Sequence, residues 1–213
     1  MTHPNWDGRK DSGGHESWHG LRLLMPLGIE ASSAGFDLPL LRPPAADEVV
    51  EQAFTSLETP PVLLHPGSHG SAGNWSPERF AALSCALVRD GMTVAFTGTA
   101  KEGRDFAPHM PAVQGVVSWF GHFNLHQLLA AQSRALAVVA SSTGPLHTAT
   151  AMGTPGVGLY SKNAPAWAER WAPIGPHVAV VEAEPTDTHG HLDVPIDEVR
   201  AAVLALIDGP HQP

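Results

Sequence analysis

From residue 62 onward, the chain alternates short apolar runs with longer amphipathic stretches, and this alternation restricts the possible folds more than any other feature of the sequence. Short apolar runs with little polar alternation are typical of strands buried on both faces of a sheet. Strands that alternate with helices predict an α/β fold with a Rossmann-like, doubly wound parallel sheet. Six strands are predicted, over residues 62–65, 93–97, 115–119, 136–140, 156–160 and 178–182.

The stretches between these runs contain helix start and stop signals. Ser76 and Pro77 open the first stretch and Gly91 closes it. A small polar residue, a proline in the first turn and a final glycine are typical of helix ends. Asn124 is expected to cap the next helix. Four helices are predicted in this region, between residues 76 and 91, 124 and 133, 144 and 153, and 196 and 209.

The first 60 residues have a different character. Apolar spacing predicts one helix over residues 15–25, and a short helix is a candidate over residues 46–54, with glycines and prolines between them. A length of 213 residues fits one full domain with an appendage better than two large domains. We therefore expect residues 1–60 to be a connector and residues 61–213 to form the Rossmann-like domain.

Charge and cysteine content exclude several classes of function. The formal net charge is −9 and the Lys and Arg residues are scattered, so no nucleic-acid partner is expected. Cys85 is the only cysteine, which excludes an intramolecular disulfide and a cysteine zinc site and fits a reducing compartment. No apolar run approaches the about 20 residues of a membrane span. We expect a cytoplasmic protein with at most a peripheral membrane contact.

Two loops that follow predicted strands suit a phosphorylated ligand, because ligands of open parallel sheets bind at the carboxyl ends of the strands. Residues 65–75 are rich in Gly and Ser, and their backbone N–H groups suit a diphosphate; the alternative is a long flexible loop. In residues 140–147, Gly144 and Pro145 open a helix whose exposed N–H groups favour an anion. His147 lies in the first turn and is expected to contact the ligand, with a purely structural histidine as the alternative.

A third loop, residues 98–102, ends in Glu102. Its carboxylate suits hydrogen bonds from a ribose diol. The alternative is a solvated acid at the start of a helix, where negative charge is favourable.

The 13 histidines of the chain raise the question of a metal site. Neither His122 with His126 nor His189 with His191 has a carboxylate at a recognised ligand spacing. No metal and no organic cofactor are therefore expected. A serine hydrolase is not supported, because the sequence has no Gly-x-Ser-x-Gly motif.

The three loops, in this order, resemble the carboxyl-terminal half of glycosyltransferase family nine, the ADP-heptose:lipopolysaccharide heptosyltransferases. The resemblance extends over residues 62–173, with a weaker echo at His15, Glu16 and residues 23–29. The segments that show it are LHPGS (64–68), NWSPERFAAL (74–83), FTGTAKE (96–102), GHFNLHQLLAA (121–131), STGPLHTATAMGTP (142–155) and LYSKNAPAWAERWAP (159–173).

The resemblance implies a GT-B fold, in which two Rossmann-like domains face a cleft and the second holds most of the nucleotide-sugar donor. This chain would be one half of such a glycosyltransferase, the donor-binding half. The resemblance implies that Ser68 contacts the diphosphate, Glu102 the ribose and Phe123 the base, with His147 and Ser142 the nearest candidates for a catalytic side chain. The donor-binding residues that it implies are Ser68, Glu102, Phe123, Ser142, Thr143, Gly144, Pro145 and His147.

Two positions depart from the family pattern. The family usually has a Lys two residues before the loop tryptophan, serving the diphosphate, and Gly73 stands there. It usually has an Asp before the Ser/Thr-Gly pair, and Ser142 stands there. The resemblance also does not extend to the family's amino-terminal acceptor-binding domain, which holds its catalytic carboxylate.

Three hypotheses follow. In the first, the protein is a heptosyltransferase-like enzyme that transfers a sugar from an ADP-heptose-like donor to a lipopolysaccharide core or another glycan, with a separate acceptor-domain chain as a possible partner. In the second, it is a nucleotide-sugar-binding module that has lost catalysis, in agreement with Gly73 and Ser142. A third, a sugar-nucleotide epimerase of GT-B-like architecture, fits the loop sequences less well.

Overall fold

A parallel sheet forms the centre of the protein. The computed structural model describes residues 14–29, 41–68, 73–163, 167–184 and 192–209. Within them the six strands lie in the order β3-β2-β1-β4-β5-β6, and every neighbouring pair is parallel. The predicted α/β fold with a Rossmann-like parallel sheet is confirmed. The strands are β1 (Val62–His65), β2 (Val94–Gly98), β3 (Val116–Phe120), β4 (Ala137–Ser141), β5 (Gly156–Ser161) and β6 (Val178–Ala183).

Helices connect and cover the strands. Short 3₁₀ turns occur at Met25–Leu27 and Ala107–His109. No helix within the described ranges is long and apolar enough to cross a membrane. The α-helices are α1 (Glu16–Arg22), α2 (Glu48–Thr55), α3 (Pro77–Arg89), α4 (Ala100–Phe106), α5 (Leu125–Gln132), α6 (Gly144–Ala151), α7 (Ala168–Trp171) and α8 (Ile196–Asp208).

The helix ends follow local chemistry. The Asn124 side chain accepts a hydrogen bond from the Gln127 backbone N–H, and the Gln127 side chain accepts one from the Asn124 N–H, both at 2.9 Å. This reciprocal pair confirms the predicted cap of α5. Ser76 has the extended backbone of an N-cap residue, but its side chain makes no capping hydrogen bond. The proline that follows it has no N–H to satisfy, which reduces the need for that bond.

The central strands are buried on both faces. Val62 and Leu64 of β1 belong to the cluster that contains Phe80 of α3 and Val199 of α8. Leu63 points to the opposite face. A strand covered by helices on both sides needs apolar residues at every position, which explains the runs without alternation.

The strands at the two edges of the sheet differ from this expectation. Ser118 of β3 and Glu182 of β6 are exposed, and other residues of both strands are only partly buried. Each of these strands pairs with a neighbour on one side, so part of its surface faces solvent. The expectation of strands buried on both faces is therefore wrong for β3 and β6.

Helix α2 packs onto this domain although it precedes the first strand. Val50 is completely buried in a cluster with Ala130 and Ala131 of α5. Asp47 caps α2 by accepting from the Val50 N–H and also accepts a hydrogen bond from the Gln127 side chain at 2.8 Å. The segment that leads into β1 is thus fixed against α5.

Truncation of Val50 tests this packing. Val50→Ala is expected to lower the free energy of unfolding by about 1.5–3 kcal/mol, because it removes buried apolar surface. Val49→Ala is the matched control, since Val49 is the neighbouring residue on the same helix and is 36% exposed. Both variants change helix propensity equally. The difference between their free energies of unfolding in urea therefore measures the effect of burial at Val50. Equal stability of the two variants would contradict this packing.

Candidate functional site

The strand order reverses direction at the pair β1 and β4. From β1 the chain proceeds through β2 to β3, whereas from β4 it proceeds through β5 to β6 on the other side. His65 at the end of β1 is in register with Ala140 near the end of β4, and neighbouring strands lie about 4.8 Å apart. The loops that leave these two strands begin side by side, where open α/β sheets form a ligand crevice.

The turn between β4 and α6, residues 142–145, has free hydrogen-bonding capacity. Thr143 stands at the N-cap of α6, but its side chain makes no capping bond. Its Oγ1 is buried without a hydrogen-bond partner, as is Oγ of Ser141. A Cβ placed on Gly144 would meet no atom within 4 Å, so the start of α6 faces open space. The positive end of the helix dipole attracts anions. The expectation of several exposed N–H groups is not met, because Pro145 has no N–H and those of Leu146 and His147 bond to the Thr143 carbonyl.

Tyr160 packs beside the β4–α6 turn, in a cluster with Ala140 and Leu146. Tyr160 is buried in β5 and donates a hydrogen bond to the Trp171 carbonyl at 2.6 Å. Burial raises the pKa of Tyr160 to about 12, and the hydrogen bond from Ser142 opposes that rise. The phenol therefore stays protonated, and its hydrogen bond to the Trp171 carbonyl attaches β5 to α7.

His147 lies in the first turn of α6 beside the amino-terminal segment. Burial holds the pKa of His147 below its usual value of 6.5, and His15 lowers it further. The Nε2 atom of His15 bonds to the Ala172 carbonyl at 2.7 Å. The Arg170 guanidinium binds the Glu16 carboxylate at 2.9 Å. Helix α1 is therefore attached to α7, close to the start of α6.

Glu102 lies against the loop that follows β1. Its Oε2 accepts hydrogen bonds from the Thr99 N–H at 2.7 Å and the Thr99 hydroxyl at 2.8 Å, which makes it part of the cap of α4. A Cβ placed on Gly67 would lie only 1.8 Å from Oε1. The carboxylate thus touches the backbone next to Ser68, which is itself buried. The alternative of an acid at the start of a helix agrees with this cap, and the contact of Glu102 with a ribose stays a prediction.

Phe123 is engaged in packing. Its ring lies 5.2 Å from that of Trp119, measured between centroids. It also packs against the cluster that contains Val50 and Ala130. Its proposed contact with a base stays a prediction.

The sequence interpretation missed Tyr160 and the links from His15 and Glu16 to α7. A signal for the first was present, since Tyr160 is the only tyrosine and lies in a fully buried strand. A buried phenol needs a hydrogen-bond partner. The contacts of His15 connect residues 157 positions apart, a separation that local patterns do not encode.

A metal site has little support among the residues that the structure describes. Among the residues that the structure describes, no group of three or more His, Cys, Asp or Glu side chains is arranged to hold a metal ion. His122 and His126 are exposed. His189 and His191 lie outside the described residues, as do residues 69–72 of the Gly- and Ser-rich loop.

Comparison with protein families gives a match over most of the chain. The family model described as glycosyltransferase family 9 (heptosyltransferase) matches residues 25–191. The lipooligosaccharide heptosyltransferase 2 of Haemophilus influenzae is 26% identical over 164 residues, which are 70% of this chain and 47% of that protein. The chain spans about half the length of the curated relatives it matches.

Solved structures share the fold. The ADP-heptose lipopolysaccharide heptosyltransferase II of Escherichia coli superposes with a TM-score of 0.64 at 24% identity, over 81% of this chain and 55% of that one. The E. coli heptosyltransferase WaaC with ADP gives a TM-score of 0.58 at 14% identity, over 86% and 53%. At these identities the likeness concerns the fold.

The state of His147 is open to measurement by NMR. We expect its ring to titrate below 6.5, because burial disfavours the charged form. Because the pKa of His147 is lower in the folded than in the unfolded protein, burial of its neutral ring contributes stability above pH 6.5. This contribution to the free energy of unfolding is lost as the pH falls through the lowered pKa. His147→Gln should remove this part of the loss of stability with falling pH. His126→Gln, at an exposed position, should retain it. A His147 pKa at or above 6.5 would contradict the described burial.

Proposed function

The chain belongs to glycosyltransferase family 9, and on that premise we propose that residues 61–213 bind the nucleotide-sugar donor of a heptosyltransferase-like reaction. Residues 1–60 are then a remnant of the segment that joins the two domains of such enzymes. The family membership supports sugar transfer in lipopolysaccharide synthesis as the general function. The donor-binding role rests on the geometry of the site.

The observation that most supports this role is the open start of α6 at the point where the strand order reverses. Thr143 has an unpartnered Oγ1 there, and Gly144 leaves space in front of the helix. A diphosphate suits this place because it is an anion that needs several hydrogen-bond donors. Glu102, against the adjacent loop, is then placed to accept hydrogen bonds from a ribose.

The chemistry follows from the leaving group. A sugar hydroxyl of the acceptor attacks the anomeric carbon, the bond to the diphosphate breaks, and the diphosphate gains negative charge. The start of α6 stabilises that charge through the helix dipole and the unpartnered Thr143 hydroxyl. The acceptor hydroxyl loses a proton to a base, and the resemblance assigns that base to the acceptor domain.

His147 and Ser142 are the nearest candidates for a catalytic side chain in this domain. The lowered pKa of His147 keeps its ring neutral near pH 7, so it can accept a proton. A serine hydroxyl does not take up a proton near pH 7, so Ser142 can only donate or accept a hydrogen bond. His147 is therefore the better candidate for proton transfer in this domain.

Donor and acceptor are proposed by class. One solved relative is described as a complex with ADP, and an ADP-heptose-like donor is our proposal for this chain. The acceptor is a glycan, with the lipopolysaccharide core as the preferred case, and the reaction takes place in the cytoplasm. An acceptor domain, in a separate chain or elsewhere in the same protein, completes the cleft.

A second candidate function is a binding module without catalysis. The specific observation in its favour is that Ser142 stands at the family's Asp position, so that a hydroxyl replaces a carboxylate beside the proposed diphosphate site. Gly73 adds to it, since the family's Lys is absent there. Both departures weaken catalysis more than they weaken the fold.

Restoring the lysine tests the donor site. Gly73→Lys is expected to raise the affinity for ADP by about tenfold to a hundredfold, because a charge-assisted contact contributes about 1.5–3 kcal/mol. His147→Ala should lower the affinity. Calorimetric titration with ADP measures both, and Ser142→Asp combined with Gly73→Lys shows whether the two positions act together.

Arg89→Lys, on the amino-edge side of the domain at the end of α3, is the control and should bind ADP like the original chain. If Gly73→Lys and His147→Ala both leave ADP affinity unchanged, the crevice is not a nucleotide site. The family likeness then concerns the fold alone.

A further inference from the structure

Gln132 is a polar side chain in a core position. It is the last residue of α5 and is only 1% exposed. Glutamine is mostly found at protein surfaces, because an amide that leaves water without a hydrogen-bond partner destabilises the folded state. The partners of a buried glutamine therefore show what its side chain holds in place.

Both ends of the Gln132 amide bond to α6. Its Nε2 donates to the Pro145 carbonyl at 2.8 Å, and its Oε1 accepts from the Thr148 hydroxyl at 2.9 Å. The Thr148 hydroxyl also lies 3.2 Å from the Pro145 carbonyl oxygen. A carbonyl can only accept, so this arrangement fixes which end of the amide faces Pro145. We name Gln132, Pro145 and Thr148 the amide bridge.

The amide bridge acts on the backbone at the start of α6. Pro145 follows Gly144 directly. The Thr143 carbonyl, in the same turn, accepts from the N–H groups of Leu146 and His147. Leu146 is completely buried and also holds this turn, but apolar packing is not directional, whereas a hydrogen bond restricts both distance and angle. The amide bridge therefore adds a directional restraint to the turn that carries the Thr143 hydroxyl.

The opposite side of this turn is open. A Cβ placed on Gly144 would meet no atom within 4 Å, and the proposed diphosphate occupies this space. The direction of the helix start is therefore set from the inner side, where the amide bridge lies. The direction matters, because a group that is displaced by about 1 Å loses much of its effect on a bound ligand.

The main chain of Gln132 holds the other end of α6. The Thr154 hydroxyl donates to the Gln132 carbonyl at 3.0 Å, and Thr154 is 6% exposed. Thr154 lies between the end of α6 and the start of β5, at the amino edge of the sheet. Gln132 thus makes two separate connections, one from its side chain to the first turn of α6 and one from its main chain to the segment after the last turn. Each connection can be removed without the other.

We propose that Gln132 is a positioning residue of the donor site, and that its amide fixes the first turn of α6 in the orientation that receives the diphosphate. This inference rests on the proposed function, because Gln132 acts through the turn that would bind the anion. Gln132 itself is too buried to contact the donor. Loss of the amide keeps the Thr143 hydroxyl but lets the turn that carries it shift.

Gln132→Met tests this role, because methionine has about the length of glutamine but no amide. Calorimetric titrations are expected to show that the variant binds ADP and inorganic diphosphate about tenfold more weakly, by the same factor for both. Equal factors are expected because a displaced turn weakens the contact with the diphosphate, which the two ligands share. A general loss of order in the crevice would weaken ADP binding more than diphosphate binding, and that result would overturn the proposal.

Thr148→Val is a second, milder variant. It removes the hydroxyl of the amide bridge and keeps the bond from Gln132 to Pro145, so ADP affinity should fall by about threefold. Because the bridge acts as a unit, Gln132→Met combined with Thr148→Val should lose less affinity than the product of the two single losses. A combined loss equal to that product would show two independent side chains and would contradict the bridge.

Thr154→Val serves as the control. It removes a buried hydrogen bond to the same residue, at the end of α6 that is remote from the crevice. This variant should lower the stability of the fold and leave ADP affinity unchanged. All titrations are made below the unfolding transition of every variant, which circular dichroism records.

The outcomes separate the two proposals. If the original chain binds neither ADP nor diphosphate, the proposed function fails and the positioning role fails with it. If the original chain binds ADP, and Thr154→Val weakens binding as much as Gln132→Met does, the donor site stands and the positioning role is overturned. If Gln132→Met does not fold, Thr148→Val decides, and unchanged ADP affinity in that variant overturns the positioning role.

Discussion

The pairing of β1 with β4 is the constraint on which the rest of the structure depends. It brings together strands that are separated in sequence by β2 and β3, and it makes the chain wind in opposite directions on its two sides. The loops after β1 and β4 consequently start side by side and diverge. The open start of α6, the unpartnered Thr143 hydroxyl and the Glu102 carboxylate all lie at the carboxyl edge that this pairing creates.

Much of the fold could be predicted from the sequence, because burial on both faces leaves a continuous apolar signature in the central strands. The edge strands were harder to interpret. Ser118 and Glu182 point to solvent, yet their strands contain enough apolar residues to resemble buried ones. The cap at Asn124 was predictable because its partner is three residues away. Ser76 shows the limit of that approach, since a favourable residue at an N-cap position need not make the bond.

The candidate site was predictable in position but not in its connections. The residues after each strand were identified because parallel strands deliver their loops to one edge. The hydrogen bond from Tyr160 to the Trp171 carbonyl and the attachment of His15 to Ala172 join different elements of the fold, and no local pattern specifies them. These connections change the interpretation. The Thr143 hydroxyl remains without a partner at the start of α6, and the bond of His15 brings the amino-terminal segment close to the crevice.

The central claim is that a nucleoside diphosphate binds where the strand order reverses. Backbone NMR of the chain during titration with ADP tests this claim directly, because it reports every described loop at once. We expect saturable shifts at Ser68, at Glu102 and at residues 143–147, with none at Gly91 or Gly115, which lie at the opposite edge of the sheet. Shifts confined to that opposite edge, or no saturable shift at millimolar ADP, would contradict it.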